Sequence, residues 1–393
     1  MEEVLTHKEV VSPKWKEKKL SQVAQLIKSS WKVGDKQMPY IALEHIVENG
    51  LRIKGVGHSD EVASNKYSFD EESFLFGKLR PYFRKLFRPN FKGICSTDIW
   101  VVKPKEDNDK DFLFYFFANK EFIDLSYSTS SGTRMPRADW NFIKDTEWEF
   151  PLLSEQKAIA NVLSSLDNKI DLLHKQNKTL EALAKTLFRQ WFDELDFDST
   201  ILDLIQVQNG YAFKSKDFVD VGFDRVIKIK NISNNMIDIT ASDFISKEVA
   251  NKTNSKFKIT TGDVLFAMTG AEIGKMGIVE TTEVNLWLNQ RVGLFKEKYE
   301  GSKFLAYLCL QSDFGQDYIE HAATGSAQPN ISSTGIEGCP FPKLSATEIK
   351  EYSNQLIPLY KKVIFNLGEI KTLEKLRDTL LPKLMSGEIR IKN

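Results

Sequence analysis

The sequence has little cysteine, and what it has forms no pattern. Cys95, Cys309 and Cys339 are odd in number and scattered, with no C-x-x-C pair and no Cys/His spacing, which argues against a disulfide framework or a metal site. They read as buried or incidental thiols. Long apolar runs are missing too. The longest, such as "DFLFYFFANKEF" from Asp111, fall well short of the ~20 residues a membrane-spanning helix needs, so no membrane association is expected. The N-terminal "MEEVLTHKEVVSPKWKEKK" is charged and lacks the apolar stretch of a secretory signal, so the expected location is the cytoplasm. Net charge is absent as well, with 54 basic and 54 acidic residues, and any electrostatic footprint must come from local distribution.

What the sequence does have is a second copy of itself. "KTLEALAKTLFRQWF" from Lys178 is answered by "KTLEKLRDTLLPKLM" from Lys371. Earlier motifs recur in the same order: "YIALEHI" from Tyr40 with "VIKIKNI" from Val226, "FLFGKLRP" from Phe74 with "VLFAMTGA" from Val264, and "GTRMP" from Gly132 with "GSAQP" from Gly325. Offsets stay between 186 and 193 residues, too long for a solenoid repeat. A chain of 393 residues is also too long for one ordinary core. The expected fold class is therefore α+β: two similar mixed globules separated by two long helices in an antiparallel coiled coil, with pseudo-twofold symmetry. The corresponding boundaries are residues 1–150 and 196–341 for the globules, with helices in 151–195 and 342–393.

Within the globules, "VIKIKNIS" from Val226 alternates like a strand, "TTGDVLFAMTG" from Thr260 reads as turn then strand, and "STDIWVVKPK" from Ser96 as a strand ended at proline. "KDFLFYFFANKEFIDL" from Lys110 and "SKFLAYLCLQSDFGQDYI" from Ser302 are long enough for buried helices.

The closing part of each copy carries a near-heptad apolar seam. Steps of three and four select Leu163, Leu166, Ile170, Leu173, Asn177 and Leu180 in the first, and Leu359, Val363, Asn366, Ile370, Leu373, Arg377 and Leu380 in the second. Helices of ~35 residues would be ~50 Å long. Ser154 with Glu155 and Gln156, and Ser345 with Glu348, mark the helix starts. If the two seams pair antiparallel with positions summing to 543, Leu163 meets Leu380, Ile170 meets Leu373, and the polar exceptions Asn177 and Asn366 coincide. Pro358 is expected to kink or break the second helix near its start. Arg189, Trp191 and Phe192, at the end of the first helix, either form a partner surface or pack on the neighbouring globule.

Surface chemistry suggests nucleic acid. No acidic residue lies between Glu72 and Asp98, where Lys78, Arg80, Arg84, Lys85, Arg88 and Lys92 interleave with Tyr82, Phe83, Phe87 and Phe91. Such a run supplies phosphate contacts, and an arginine can take a guanine edge bidentately. Arg134 and Arg137 occupy a polar loop whose counterpart offers Gln328 and Asn330, an exchange of guanine-reading for adenine-reading side chains, unless these residues only stabilise the turn. The second globule disperses its cations, among them Lys228, Lys230 and Lys275, and presents Asn289, Gln290 and Arg291 where the first has Ser96, Thr97 and Asp98.

Catalytic signatures fail one by one. "GAEIGKMG" from Gly270 has three residues between its glycines where a phosphate loop has four, and Met276 follows the lysine, so it reads as a turn. No Asn/Asp-Pro-Pro-aromatic motif of adenine methyltransferases and no glycine-rich cofactor loop is found, and the histidines are isolated. The chain reads as a recogniser that binds no cofactor.

Two variable globules, each followed by a long helix, with "PLLSEQKAIANVLSSLDNKID" from Pro151 and "LPKLMSGEIRI" from Leu381, resemble the specificity subunit of type I restriction-modification systems. The second copy departs from that pattern at "PKLSATEIKEYSNQL". The resemblance implies double-stranded DNA as a partner, read at a split asymmetric site. It also implies two docked methyltransferase subunits that use S-adenosylmethionine, and motor-nuclease subunits that use ATP with magnesium. A recogniser serving a lone methyltransferase, or a scaffold that binds protein instead of DNA, would share this build.

Overall fold

The computed structural model describes residues 15–132, 134–233, 235–324 and 329–391. Its contacts divide the chain into two units: Met1–Asn168 with Glu374–Asn393, and Lys169–Leu373. Each contains one globule, or head, and parts of both long helices. Among the described residues no helix is long and apolar enough to cross a membrane.

In the first unit, the strands Ala24–Ile27, Ile99–Pro104, Phe74–Gly77 and Leu86–Phe87 form a four-stranded sheet. A second, five-stranded sheet contains the parallel pair Pro39–Ile41 and Gly93–Cys95, with Ile41 opposite Cys95. The second unit repeats the plan with a six-stranded sheet in place of the four-stranded one. Val292–Glu297 and Val264–Ala267 pair at the centre of a six-stranded sheet, and Asp224–Ile227 runs parallel to Asn285–Leu288 with Ile227 opposite Leu288. The alternating stretch from Val226 stops being a strand after Ile227, because Asn231 turns its side-chain oxygen back to accept from the Lys228 N–H at 2.9 Å. Each apolar helical stretch is likewise broken in two. Asn119 separates Lys110–Ala118 from Lys120–Ser128, and Ser312 separates Ser302–Gln311 from Asp313–Ala322. Both residues take extended backbone and cap the following helix, Asn119 accepting from the Lys120 N–H and Ser312 from the Gly315 N–H.

The two long helices span Leu153–Phe192 and Ala346–Met385, 40 residues each. The second starts on the Ser345 and Glu348 capping box: Ser345 N–H donates to the Glu348 carboxylate at 2.8 Å and Glu348 N–H to Ser345 Oγ at 3.3 Å. Glu155 and Gln156 serve the first unit's packing instead: Glu155 accepts from Trp15 Nε1 and Arg390, and Gln156 accepts from the Asp109 N–H. The helix runs unbroken through Pro358, against expectation. Pro358 and Asn354, whose carbonyl loses its donor, are both exposed, so water can serve that carbonyl.

Antiparallel pairing is visible inside each unit. In the first, Leu163 packs in one cluster with Leu381 and Leu384, with Leu380 against it. In the second, Ile170 and Leu173 meet Ile370 and Leu373, and Asn366 Nδ2 donates to Asn177 Oδ1 at 2.7 Å, both residues buried. The 543 register therefore places the two amides together. Leu359 packs against the second head's core and Val363 is buried, while Leu166 and Leu180 are half-buried. Besides the two asparagines, a third seam position is polar: Arg377 is 1% exposed and donates to Asp167 at 2.9 Å. Trp191 and Phe192 do not form a partner surface. Trp191 lies 4.7 Å from Tyr352 and Phe192 is 5.0 Å from Phe341, so both complete the second unit's core, leaving Arg189 exposed.

The cysteines are free and buried. Burial alone pushes the Cys95 thiol up to about 12. Cys309 and Cys339 approach to 4.0 Å between sulfurs, a juxtaposition that their spacing does not reveal.

Candidate nucleic-acid interface

Each head carries a lip where the turn before the long central strand meets a loop from farther along the chain. In the first head, the Lys78 N–H donates to the Asp98 carbonyl at 2.9 Å, Ala138 to Lys78 at 3.0 Å, and Arg80 to Pro136 at 2.7 Å. In the second, Met268 donates to Arg291 at 3.1 Å, Ile331 to Met268 at 3.0 Å, and Gly270 to Pro329 at 2.9 Å. These are the same bonds at duplicated positions. Isolated bridges repeat as well: Leu79 and Ser131 with Arg137 in one head, Thr269 and Thr324 with Asn330 in the other. The backbone framework is thus kept while its side chains are replaced.

Backbone strain singles out the first lip. Arg80 and Arg84 have φ of 49° and 46°, where the second head has Gly270 and Gly274 at 74° and 82°. Holding a non-glycine residue left-handed costs roughly 1–2 kcal/mol, which a turn with no need of those side chains would avoid by using glycine.

The two arginines serve different ends. Arg84 Nη1 lies 3.2 Å from Asp378, and burial holds its guanidinium somewhat below the usual arginine range despite that carboxylate. Arg80 reaches the Arg134 carbonyl at 3.5 Å and stays half-buried on the lip.

The remaining cations of the basic run are similarly divided. Lys85 donates to the Leu43 carbonyl at 3.0 Å and lies 3.3 Å from Glu48. Arg88 donates to Ser164 Oγ at 2.8 Å and Tyr115 Oη at 3.1 Å, with Asp111 at 3.3 Å and the Phe114 ring beneath it. Arg84, Lys85 and Arg88 therefore fasten the first head to the long helices and to itself, while Lys78 stands at the lip and Lys92 is exposed. Arg134 is exposed. Arg137 Nε and Nη2 donate to the two Asp98 oxygens at 2.9 and 3.1 Å, and this pairing leads the causes that hold the Asp98 carboxyl below its ordinary range.

In the second head, Lys228 and Lys230 both contact Asp243, at 2.7 and 3.0 Å. Burial works to raise the Asp243 carboxyl, but those two ammonium groups outweigh it and keep it low. Lys275 pairs with Glu272 within the turn after Gly270. Asn289 is half-buried, its backbone in close contact with Gly210: a β-carbon added there would sit 2.1 Å from the Asn289 oxygen. Gln290, Arg291 and Asn330 are exposed and line one open cleft with Asn209, Thr269 and Ser333. Gln328 lies outside the described residues. Among the described residues, no group of three or more metal-ligating side chains is found.

The sequence matches the type I restriction modification DNA specificity domain over residues 13–182 and again over 196–371. The chain belongs to that family. Both copies of this specificity domain lie in the one chain, in agreement with its duplicated lips. It is 29% identical to the type I restriction enzyme MjaVIII specificity subunit of Methanocaldococcus jannaschii over 77% of this chain and 76% of that one. The MjaIX specificity subunit of the same organism is 26% identical over 74% and 72%. In fold, the specificity-domain chain resembles the crystal structure of a type I restriction-modification S subunit from M. genitalium, with a TM-score of 0.58 at 15% identity, covering 94% of this chain and 96% of that one.

Proposed function

We propose that the chain is the DNA-reading subunit of a type I restriction-modification complex. Its two heads recognise the two halves of a split, asymmetric site in double-stranded DNA, and its paired helices set the gap. Each long helix docks one adenine methyltransferase subunit, and the motor-nuclease subunits join through the assembled complex. The chain itself performs no chemistry and holds no cofactor: S-adenosylmethionine, and ATP with magnesium, belong to its partners. The observation that carries this reading is the duplicated lip, whose backbone bonds recur while its side chains change. A pair of catalytic sites would have kept the side chains, whereas two readers of different sequences must change them.

The cations proposed to meet phosphates and base edges are Lys78, Arg80, Arg134, Arg137 and Arg291 on the lips, with exposed Lys92. The complex assembled with its methyltransferase subunits is expected to lose affinity for random duplex steeply as salt rises, with a log–log slope of about −0.9 per phosphate neutralised. Fluorescence anisotropy between low and physiological salt measures this. A flat response would favour a protein scaffold.

A further inference from the structure

The two lips hold Arg137 and Arg291 on opposite walls. In the first head the loop wall carries Arg137 and the turn wall carries Asp98. In the second head the place of Asp98 is taken by Arg291, since the carbonyls of both accept the equivalent N–H, from Lys78 and from Met268. The place of Arg137 is taken by Asn330, since both form the same two bridges. The charged pair of one head is thus replaced by an arginine and an amide with their walls exchanged.

The manner in which Asp98 holds Arg137 matters. The carboxylate occupies Nε and one face of Nη2, which fixes the guanidinium plane. The Nη1 hydrogens and the second Nη2 hydrogen remain for another acceptor. Two parallel N–H groups presented end-on match the O6 and N7 acceptors that guanine shows in the major groove. The Arg137 side chain is 43% exposed, so a base edge has access to it.

Resting on the DNA-reading function proposed above, we infer that Arg137, positioned by Asp98, reads a guanine in the half-site of the first head, and that Arg291, from the opposite wall, reads a guanine in the half-site of the second. Asp98 is a positioning residue. Asn330 adds an amide opposite Arg291, the side chain whose bidentate partner is adenine. Exchanging the walls changes where along the half-site the guanine falls, so the two half-sites differ in order as well as in composition.

The test uses the full chain assembled with its methyltransferase subunits, on duplexes in which every position of the methylated target is substituted in turn. Arg137→Ala should lower discrimination by about 10- to 100-fold at a single G·C pair of one half-site and leave the other half-site unchanged. Arg137→Gln should move the preference at that same pair toward adenine, a gain that a misfolded head cannot produce. Asp98→Asn should relax the same pair to a smaller degree, whereas a purely structural Asp98 would affect all positions of its half-site together. Arg291→Ala should relax one pair in the other half-site.

The inference is overturned if Arg137→Ala and Arg137→Gln leave every position discriminated as before, if they weaken all sequences uniformly, or if Arg137→Ala and Arg291→Ala relax the same half-site. Failure of the underlying DNA-reading function looks different: the unsubstituted complex would show no sequence preference in either half-site.

Discussion

Lysine at Leu172 and Leu183 is expected to remove one of two methyltransferase subunits from the assembled complex, and lysine at Phe365 and Leu376 to remove the other. These four side chains are 59, 46, 57 and 44% exposed. Each pair is 11 residues apart, three turns of helix, and so shares a face. The two pairs are related by the repeat itself: Leu172 and Phe365 differ by 193 positions, as do Leu183 and Leu376. Duplication has kept apolar side chains at the same two exposed sites, Leu183 and Leu376 within the repeated K-T-L-E-x-L phrase. Two docking sites for copies of one partner would use such a repeated apolar pair. A lysine in the buried centre of an interface costs on the order of 2 kcal/mol or more, so each pair of substitutions should weaken docking by at least about 100-fold. Native mass spectrometry should count two, one and no methyltransferase subunits for the parent, the single-helix variants and the four-lysine variant. Retention of both subunits by the four-lysine variant would place docking elsewhere.

The largest effect on stability is expected from Arg377→Ala, at roughly 3–5 kcal/mol. Arg377 occupies a seam position and is 1% exposed. Its Nη1 bonds Asp167, which also accepts from Tyr115 Oη at 2.5 Å and lies 3.6 Å from Arg88. Burial by itself would lower the Arg377 guanidinium, but the Asp167 and Asp378 carboxylates outweigh it and hold it fully charged. Removing the guanidinium takes the nearest counter-charge from the Asp167 carboxylate, 10% exposed as a side chain, and leaves it with Tyr115 Oη and the more distant Arg88. Replacing both partners, as Arg377→Met with Asp167→Leu and Tyr115→Phe, which removes the hydroxyl that Asp167 accepts from, should recover part of the loss, because a buried ion pair and a well-packed apolar pair differ less than either differs from a buried charge without its counter-charge. Denaturant unfolding of the full chain measures both variants. Equal destabilisation by the single and the combined replacement would show that packing, not the lost counter-charge, sets the effect.

Much of this architecture is legible in the amino-acid sequence itself. The duplication, the α+β class and the long helices follow from repeated phrases and heptad spacing. The pairing of Asn177 with Asn366 follows from summing positions along two antiparallel seams. Asp167 is missed because it lies one step off the seam, so nothing local announces it as the partner of Arg377. The breaks at Asn119 and Ser312 carry a local signal, since both are strong capping residues, but the apolar stretches around them mask it.

The basic run from Lys78 shows the limit of local reading. Composition reveals a cluster of cations among aromatics, but not that Asp378, 294 residues from Arg84, waits beside it on the other helix. Asp111 and Asp167 engage Arg88 for the same reason. Long-range acids decide which cations remain available, and they turn three of the run's members to structural use. The lip residues are only half visible for a related reason. Arg137 and Asn330 stand out as loop residues that differ between copies, but the exchange of Asp98 for Arg291 becomes meaningful only when the carbonyls of both are seen accepting the equivalent N–H.

That paired helices set the distance between two independently read half-sites is tested most directly by methylome sequencing of a host carrying either the parent or a lengthened variant. One heptad is inserted into each helix, between the Asp167–Arg377 and Asn177–Asn366 pairs, which adds about 10 Å of helix with only a small change in phase. The parent should methylate a two-part motif with a fixed unspecified gap, and the variant the same half-sites with a gap longer by about three base pairs, at ~3.4 Å each. A continuous short palindrome in the parent, or an unchanged gap in a folded variant, would contradict it.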